Sequence, residues 1–266
     1  MAKKENPFQT IANSIPNKTS KIVDVKKGHC KKCEKYYELH IFESGYEFKL
    51  GCDCDAIAEA KRRKAVAEKN IQSSKVNRIF NQSIINPKIK QARFETYQTD
   101  DDKLKRAYKI AMRYVQVFDV DLPRSLYFHG TFGTGKTHLA YSIAHELKSK
   151  GYTVLFMNIP QLITMIKNTY NKNASTSEFE MMQLIADVDL MIFDDLGVNM
   201  NDFAMAKLFE MIDSRVGKNN IFTTNMTANE IGQSKDWQRL FSRIAEDATL
   251  VEMNGDDYRL RGLKND

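Results

Sequence analysis

The sequence predicts an α/β protein: a P-loop nucleotide-binding parallel sheet flanked by helices, preceded by a small zinc-binding α+β domain. Three observations carry this. Beyond about residue 94, short apolar runs alternate with helical stretches, as in strands buried on both faces and joined by crossover helices. Gly130-Thr-Phe-Gly133-Thr134-Gly135-Lys136-Thr137 matches G-x-x-x-x-G-K-[ST] in full, between an apolar run and a helical one. All four cysteines lie in the first 54 residues, outside that alternation.

Length and composition fit this reading. A chain of 266 residues holds one large domain or two smaller ones. With 42% hydrophobic and 28% charged residues, it is neither fibrous nor wholly disordered. No apolar run approaches the ~20 residues of a membrane span. Met1-Ala2-Lys3-Lys4-Glu5 leads into no apolar stretch, so a cytoplasmic, reducing setting without disulfides is expected. The formal charge of +6 is uneven: residues 1–106 carry 23 basic and 14 acidic side chains, residues 107–266 carry 17 and 20. That asymmetry suggests two domains, with the basic excess in the N-terminal one; the expected bounds are a small cysteine-bearing, zinc-ribbon-like domain over 1–55, a helix and basic linker over 56–93, and a nucleotide-binding domain over 94–266.

The elements follow in order. Phe8, Ile11 and Ile15 can form one side of a short helix between Pro7 and Pro16. Ile41-Phe42-Glu43 and Tyr46-Glu47-Phe48-Lys49-Leu50 flank Ser44-Gly45, the pattern of a β-hairpin. Residues 55–80, rich in Ala, Lys and Arg, read as a helix, and 81–93, with Asn86-Pro87, as a linker. Tyr108, Ala111, Met112, Val115 and Phe118 fall at helical spacing. Strands are expected at 125–129, 153–157, 189–193, 220–224 and 250–253, and helices at about 136–150, 160–171, 178–186, 202–217 and 238–246.

The chemistry of the motif is specific. Glycines at 130, 133 and 135 let the backbone aim several N–H groups at one spot, and the following helix adds its positive end, so phosphate binds there. Lys136 is expected to reach the β- and γ-phosphates and Thr137 to bind Mg²⁺; Thr134 and His138 flank them. Leu190-Met191-Ile192-Phe193-Asp194-Asp195 reads as a buried strand ending in two carboxylates. Asp194 would hold Mg²⁺ through water, and Asp195 would orient or deprotonate the attacking water. Asn225, after Thr223-Thr224, can hold a water or a phosphate oxygen. Arg239 and Arg243 in a helix, and Arg259 and Arg261 near the end, are candidates to stabilise charge on a transferring phosphoryl group.

Together these residues carry a resemblance. Phe94-Glu-Thr-Tyr, Gly130–Thr137 with His138-Leu139-Ala140, Phe193-Asp194-Asp195-Leu196-Gly197, Thr224-Asn225, Ser242-Arg243-Ile244 and Tyr258-Arg259 resemble the DnaC/DnaI-type replicative helicase loaders. These are AAA+ ATPases of the IstB-like clade, and the resemblance spans roughly residues 92–262. It implies an ATP site formed by Lys136, Thr137, Asp194, Asp195 and Asn225. It implies Arg243 as an arginine finger acting on the ATP of an adjacent copy, with Arg239 as competitor, and Arg259 as a second sensor in cis. The second acid is often Glu in AAA+ proteins; Asp195 reaches less far, which suits weak, switch-like hydrolysis.

Cys30-x-x-Cys33 and Cys52-x-Cys54 bracket the expected hairpin. Two cysteine pairs across a hairpin can complete a tetrahedral zinc site and hold together a unit too small for a core. Cys30, Cys33, Cys52 and Cys54 are the candidate ligands; His40 or His29 can replace one of them, the Cys₃His set that the resemblance also brings, and free thiols are the remaining reading. The resemblance further implies that the N-terminal domain grips a replicative DNA helicase, that the ATPase domain contacts single-stranded DNA, and that ATP-bound copies associate. Rivals are a transposition helper ATPase, an origin-recognising initiator and a nucleic-acid adaptor in which ATP is structural. The cysteine unit speaks against the first. The absence of a sequence-reading domain after Arg259 speaks against the second.

Overall fold

In the computed structural model, residues 21–82, 86–171, 176–197 and 200–263 are described. The candidate helix around Phe8, Ile11 and Ile15 lies outside them. Two compact units divide between Asn70 and Ile71.

The first unit is a three-stranded antiparallel sheet, β1 (Ile22–His29), β2 (Tyr36–Phe42) and β3 (Glu47–Leu50), in that order. The β2–β3 hairpin turns where Ser44-Gly45 places it, and Gly45 N–H donates to Phe42 O at 2.9 Å. The sequence reading has no counterpart for β1. Its residues are almost all exposed, so no apolar alternation marks it, and it is held by its ladder to β2 rather than by a core. A long helix, α1 (Cys54–Gln82), starts at the last cysteine and runs across the division between the units.

The second unit carries the parallel sheet. After α2 (Pro87–Lys90), a 3₁₀ turn (Phe94–Thr96) and α3 (Asp102–Gln116) come β4 (Ser125–His129), α4 (Lys136–Ser149), β5 (Val154–Asn158), α5 (Ile159–Asn168), α6 (Glu178–Asp187), β6 (Leu190–Leu196), α7 (Asp202–Asp213), β7 (Asn219–Thr224), α8 (Ala228–Gly232), α9 (Lys235–Asp247) and β8 (Ala248–Glu252). All five strands expected from the sequence are present, and α9 begins three residues before its expected start. The strand order is β5-β6-β7-β4-β8, with every neighbouring pair parallel.

Both faces are covered, which explains the continuous apolar strands. Leu126, Phe128, Val154, Phe156, Leu190, Ile192 and Ile221 point into the core shared with α3 and α4. Tyr127, Leu155, Met157, Met191, Phe193 and Phe222 point into the core shared with α5, α6, α7 and α9. Successive strand residues thus alternate between two cores. On α3, the buried set Leu104, Ala107, Ala111, Tyr114 and Val115 gives the stripe that packs on the sheet.

The strand order positions the site. β7 lies between β4, which feeds the glycine-rich loop, and β6, which ends in the two acids. Loop, acids and the end of β7 therefore meet at the carboxyl edge of a parallel sheet, where ligands of open α/β sheets bind.

Candidate nucleotide and metal sites

The glycine-rich loop takes the conformation its glycines allow. Gly130, Gly133 and Gly135 have φ of 133°, 71° and 89°, values that side-chain-bearing residues rarely adopt. Gly135 caps α4 without any side-chain acceptor, whereas Asp101, Ser177, Asn201, Thr227 and Ser234 cap α3, α6, α7, α8 and α9 with theirs. The first-turn N–H groups of α4 are thus left for an anion.

Lys136, 6% exposed, donates to Gly130 O at 2.9 Å, Thr131 O at 2.5 Å and Thr134 Oγ1 at 3.4 Å. Burial lowers its ammonium to about 8, partly opposed by Asp195. Its partners are all oxygens of its own loop, a set that phosphate oxygens can replace. Thr134 Oγ1 ties back to Thr131 O at 3.0 Å. His138 turns away from the loop: its Nε2 meets Arg93 O at 2.8 Å and Thr96 Oγ1 at 3.3 Å.

Thr137 Oγ1 donates to Asp194 Oδ1 at 2.9 Å. The loop and the β6 acids, distant in sequence, are therefore joined directly. Asp194 is 3% exposed. Burial first, then Asp195, pushes its carboxyl up to about 7. Burial also raises Asp195, against the pull of Lys136. Two neighbouring acids short of positive charge, beside a hydroxyl, are a donor set suited to Mg²⁺. The residues present fit ATP with Mg²⁺.

Asn225 follows β7 half-buried. Arg259 bonds Asp257 through Nε and a terminal nitrogen, each at 3.1 Å. The surrounding segment is laced onto the loop: Thr131 N–H donates to Asn254 Oδ1 at 3.1 Å and Tyr258 N–H to Gly133 O at 3.1 Å. A Cβ on Gly133 would lie 1.7 Å from Asp257 Oδ1, so only glycine admits this close approach. Arg243 pairs with Asp213 at 2.6 Å. Asp213 ends α7, which carries the chain from the carboxyl edge of β6 back toward the start of β7, so Arg243 is not gathered at its own loop. Arg239 lies over the Phe209 ring at 5.9 Å.

Three residues of this site have no role that the sequence assigns, although Tyr97 closes the Phe94-Glu-Thr-Tyr motif. Asn158, at the tip of β5, donates to Asp195 Oδ2 at 3.1 Å. Tyr97 OH donates to Thr134 O at 2.9 Å. Thr223 donates to Asp194 Oδ1 at 2.7 Å. The Asn at a strand end and the Thr-Thr-Asn run are weak signals; only the strand order shows that they converge.

In the first unit, one sulfur each of Cys30, Cys33, Cys52 and Cys54 lies within 4.8 Å of the others, with Cys33 and Cys52 at 3.5 Å and all four thiols free. Ideal Zn–S bonds of ~2.3 Å place tetrahedral sulfurs at about this spacing. Backbone N–H groups of Lys32 and Cys33 pull Cys30 down to about 6, while Cys33 and Cys52 push Cys54 up to about 12. One thiolate thus opposes the next, which a soft divalent cation reverses. The residues fit zinc. His29 and His40 are not in the cluster: His29 packs against Tyr36 and His40 Nε2 faces Glu38 at 3.5 Å.

Residues 74–265 match the model of the family described as IstB-like ATP binding protein. The chain belongs to that family. This IstB-like protein is 30% identical over 203 residues to "Replicative helicase loader DnaC" of Escherichia coli (strain K12), covering 75% of this chain and 82% of the relative. Among solved structures it resembles the crystal structure of DnaI, with TM-score 0.55 and 25% identity over 66% of this chain and 94% of the other. It also resembles the replication initiator DnaA bound to AMPPCP and single-stranded DNA, with TM-score 0.54 and 20% identity over 69% of this chain and 58% of the other; that likeness shows the fold. The second unit is therefore an AAA+ ATPase domain of the DnaC/DnaI type. No helix among the described residues is long and apolar enough to cross a membrane.

Proposed function

We propose that this protein is an ATP-dependent loader of a replicative DNA helicase, acting in the cytoplasm during replication initiation. The observation that carries the reading is the match to DnaC across 82% of that relative's length, and the site fits its chemistry. The cysteine unit, residues 1–55 with zinc on Cys30, Cys33, Cys52 and Cys54, binds the helicase. The helix and linker of 56–93 join it to the AAA+ domain, residues 94–266, which contacts single-stranded DNA.

ATP with Mg²⁺ supplies the scissile phosphoanhydride and its counter-charge. Gly130, Gly133, Thr134, Gly135 and the first turn of α4 cradle phosphate, and Lys136 supplies the positive charge. Thr137 and Asp194 hold the metal, and Asp195, steadied by Asn158, orients the attacking water. Asn225 and Arg259 read the outermost phosphate, while His138 supports the segment before the domain. Arg243 acts on the site of a second copy, so ATP-bound copies associate and hydrolysis favours release.

Exposed basic side chains for a phosphate backbone or an acidic partner cluster on α1, at Lys61, Arg62, Arg63 and Lys64, although Arg62 and Arg63 share Glu59 and Lys64 pairs with Glu68. Around the cysteines, lysines alternate with acids: Lys27 pairs with Glu38 and Lys49 with Asp55. Of the basic excess expected in the cysteine region and its linker, the helix and linker hold most: residues 56–93 carry ten basic and two acidic side chains, residues 1–55 ten and eight. A transposition helper ATPase is the alternative within the IstB-like family; the four-cysteine unit favours the loader.

The test is helicase-dependent unwinding of a forked DNA whose single strand is covered by single-strand-binding protein. The chain is expected to restore unwinding with ATP. Lys136→Ala and Cys30→Ser are expected not to. Restoration by Cys30→Ser would contradict the role given to the first unit.

A further inference from the structure

We propose that Thr223 is a positioning residue for ATP hydrolysis: one buried hydroxyl sets the geometry of both acids, Asp194 and Asp195. The inference rests on the ATPase site described above and deepens it.

The ladder between β6 and β7 pairs Phe193 with Phe222, then resumes at Leu196 with Thr224. Asp194 and Asp195 fall in this irregularity. Such bulges leave backbone groups without ladder partners and re-aim side chains. Asp195 has φ of 59°, in the left-handed region that costs a side-chain-bearing residue free energy unless its surroundings hold it. Thr223 provides the hold. Its Oγ1 accepts the Asp195 N–H at 3.0 Å and donates to Asp194 Oδ1 at 2.7 Å.

A hydroxyl has one proton and two lone pairs. Here the proton goes to one acid and a lone pair to the backbone of the other. The side chain is 1% exposed, so water does not compete for either bond. Thr137 gives the same Oδ1 its second donor, and no described residue hydrogen-bonds Asp194 Oδ2. Next door, Thr224 Oγ1 donates to Leu196 O at 2.7 Å and closes the far side of the irregularity. Thr223 thereby turns Asp194 toward Thr137 and fixes the backbone from which Asp195 reaches Asn158. It bonds no group of the glycine-rich loop, so its effect belongs to turnover rather than to nucleotide affinity.

The test compares Thr223→Val, isosteric without the hydroxyl, with Thr223→Ser, which keeps it. Each is measured in the full chain for steady-state ATPase kcat and KM, for mant-ATP affinity with Mg²⁺, and for thermal midpoint. Thr223→Ala is a second hydroxyl-free variant should the valine not fold. Loss of the hydroxyl is expected to lower kcat by ~10-fold or more, the scale of lost groups that orient metal ligands. Mant-ATP affinity is expected to stay within ~3-fold, with serine restoring kcat to about wild type. Wild-type kcat in a hydroxyl-free variant overturns the proposal, as does a serine variant no faster than valine, which would make the residue packing alone. Lys136→Ala separates the two levels: if it binds mant-ATP as wild type does, the ATP site itself is misassigned and the positioning role falls with it.

Discussion

Asp194→Asn is expected to stabilise the nucleotide-free protein while abolishing turnover. The carboxyl is 3% exposed, and burial and Asp195 raise it from its ordinary 3.8 to about 7. The folded state therefore binds this proton more tightly than the unfolded chain does. The group's contribution is fully present below about pH 4 and is lost as pH rises through about 7. At ~1.4 kcal/mol per pH unit, the difference sets a ceiling of about 4 kcal/mol; relaxation around the acid brings the expected gain for the neutral amide to about 2 kcal/mol at pH 8. Asparagine keeps an oxygen for the Thr137 and Thr223 hydroxyls, so those bonds survive. For a unit of this size, about 2 kcal/mol raises the melting temperature by roughly 4–8 °C. The assay is thermal unfolding followed by circular dichroism, without Mg²⁺ or nucleotide, at pH 8 and pH 5. The variant's advantage is predicted at pH 8 and is predicted to shrink at pH 5, where wild-type Asp194 is itself neutral. A variant less stable than wild type at pH 8, or an advantage equal at both values, would refute the reasoning.

Two further outcomes are expected. Arg215 is fully buried and donates to the carbonyls of Ile185, Ala186, Val188 and Asn219 and to Asn220 Oδ1; burial lowers its guanidinium to about 10, still charged at neutral pH. Arg215→Met strands those five acceptors and should cost roughly 5 kcal/mol, at ~1 kcal/mol for each, read as a lower urea midpoint; a loss under ~1 kcal/mol would show that the arginine carries little. For the cysteine unit, elemental analysis should find one zinc per chain, and Cys30→Ser or Cys52→Ser should release it and expose β2 and β3 to rapid amide exchange. Full protection without zinc would show that the sheet stands alone.

Much of the sheet is legible because its strands are buried on both faces. Runs such as Leu126–Phe128 and Leu190–Phe193 are continuous in apolar residues, a pattern hard to satisfy otherwise. The phosphate loop is legible because its chemistry demands specific residues at specific spacings. By contrast, β1 is a largely exposed strand of the small unit, with Val23 at 57% exposure, so no burial pattern records it. Arg215 falls near the end of the helix expected over 202–217, and nothing local marks it as buried; that it enters the core depends on the carbonyls of α6, far away in the chain. Thr223 is an ordinary strand residue until the interrupted β6–β7 ladder brings two acids to its hydroxyl. Site residues that touch ligand leave motifs, whereas residues that hold other residues depend on register, which a local pattern does not encode.

The central claim is that ATP at the Lys136 site governs engagement of a replicative helicase. It is tested most directly by measuring the affinity of the full chain for a hexameric replicative helicase with ATP, with ADP and without nucleotide, alongside Lys136→Ala. The account predicts binding whose affinity or stoichiometry changes with ATP in the wild type and stays at the nucleotide-free level in Lys136→Ala. Helicase binding identical in every nucleotide condition, or no binding at all, would contradict it.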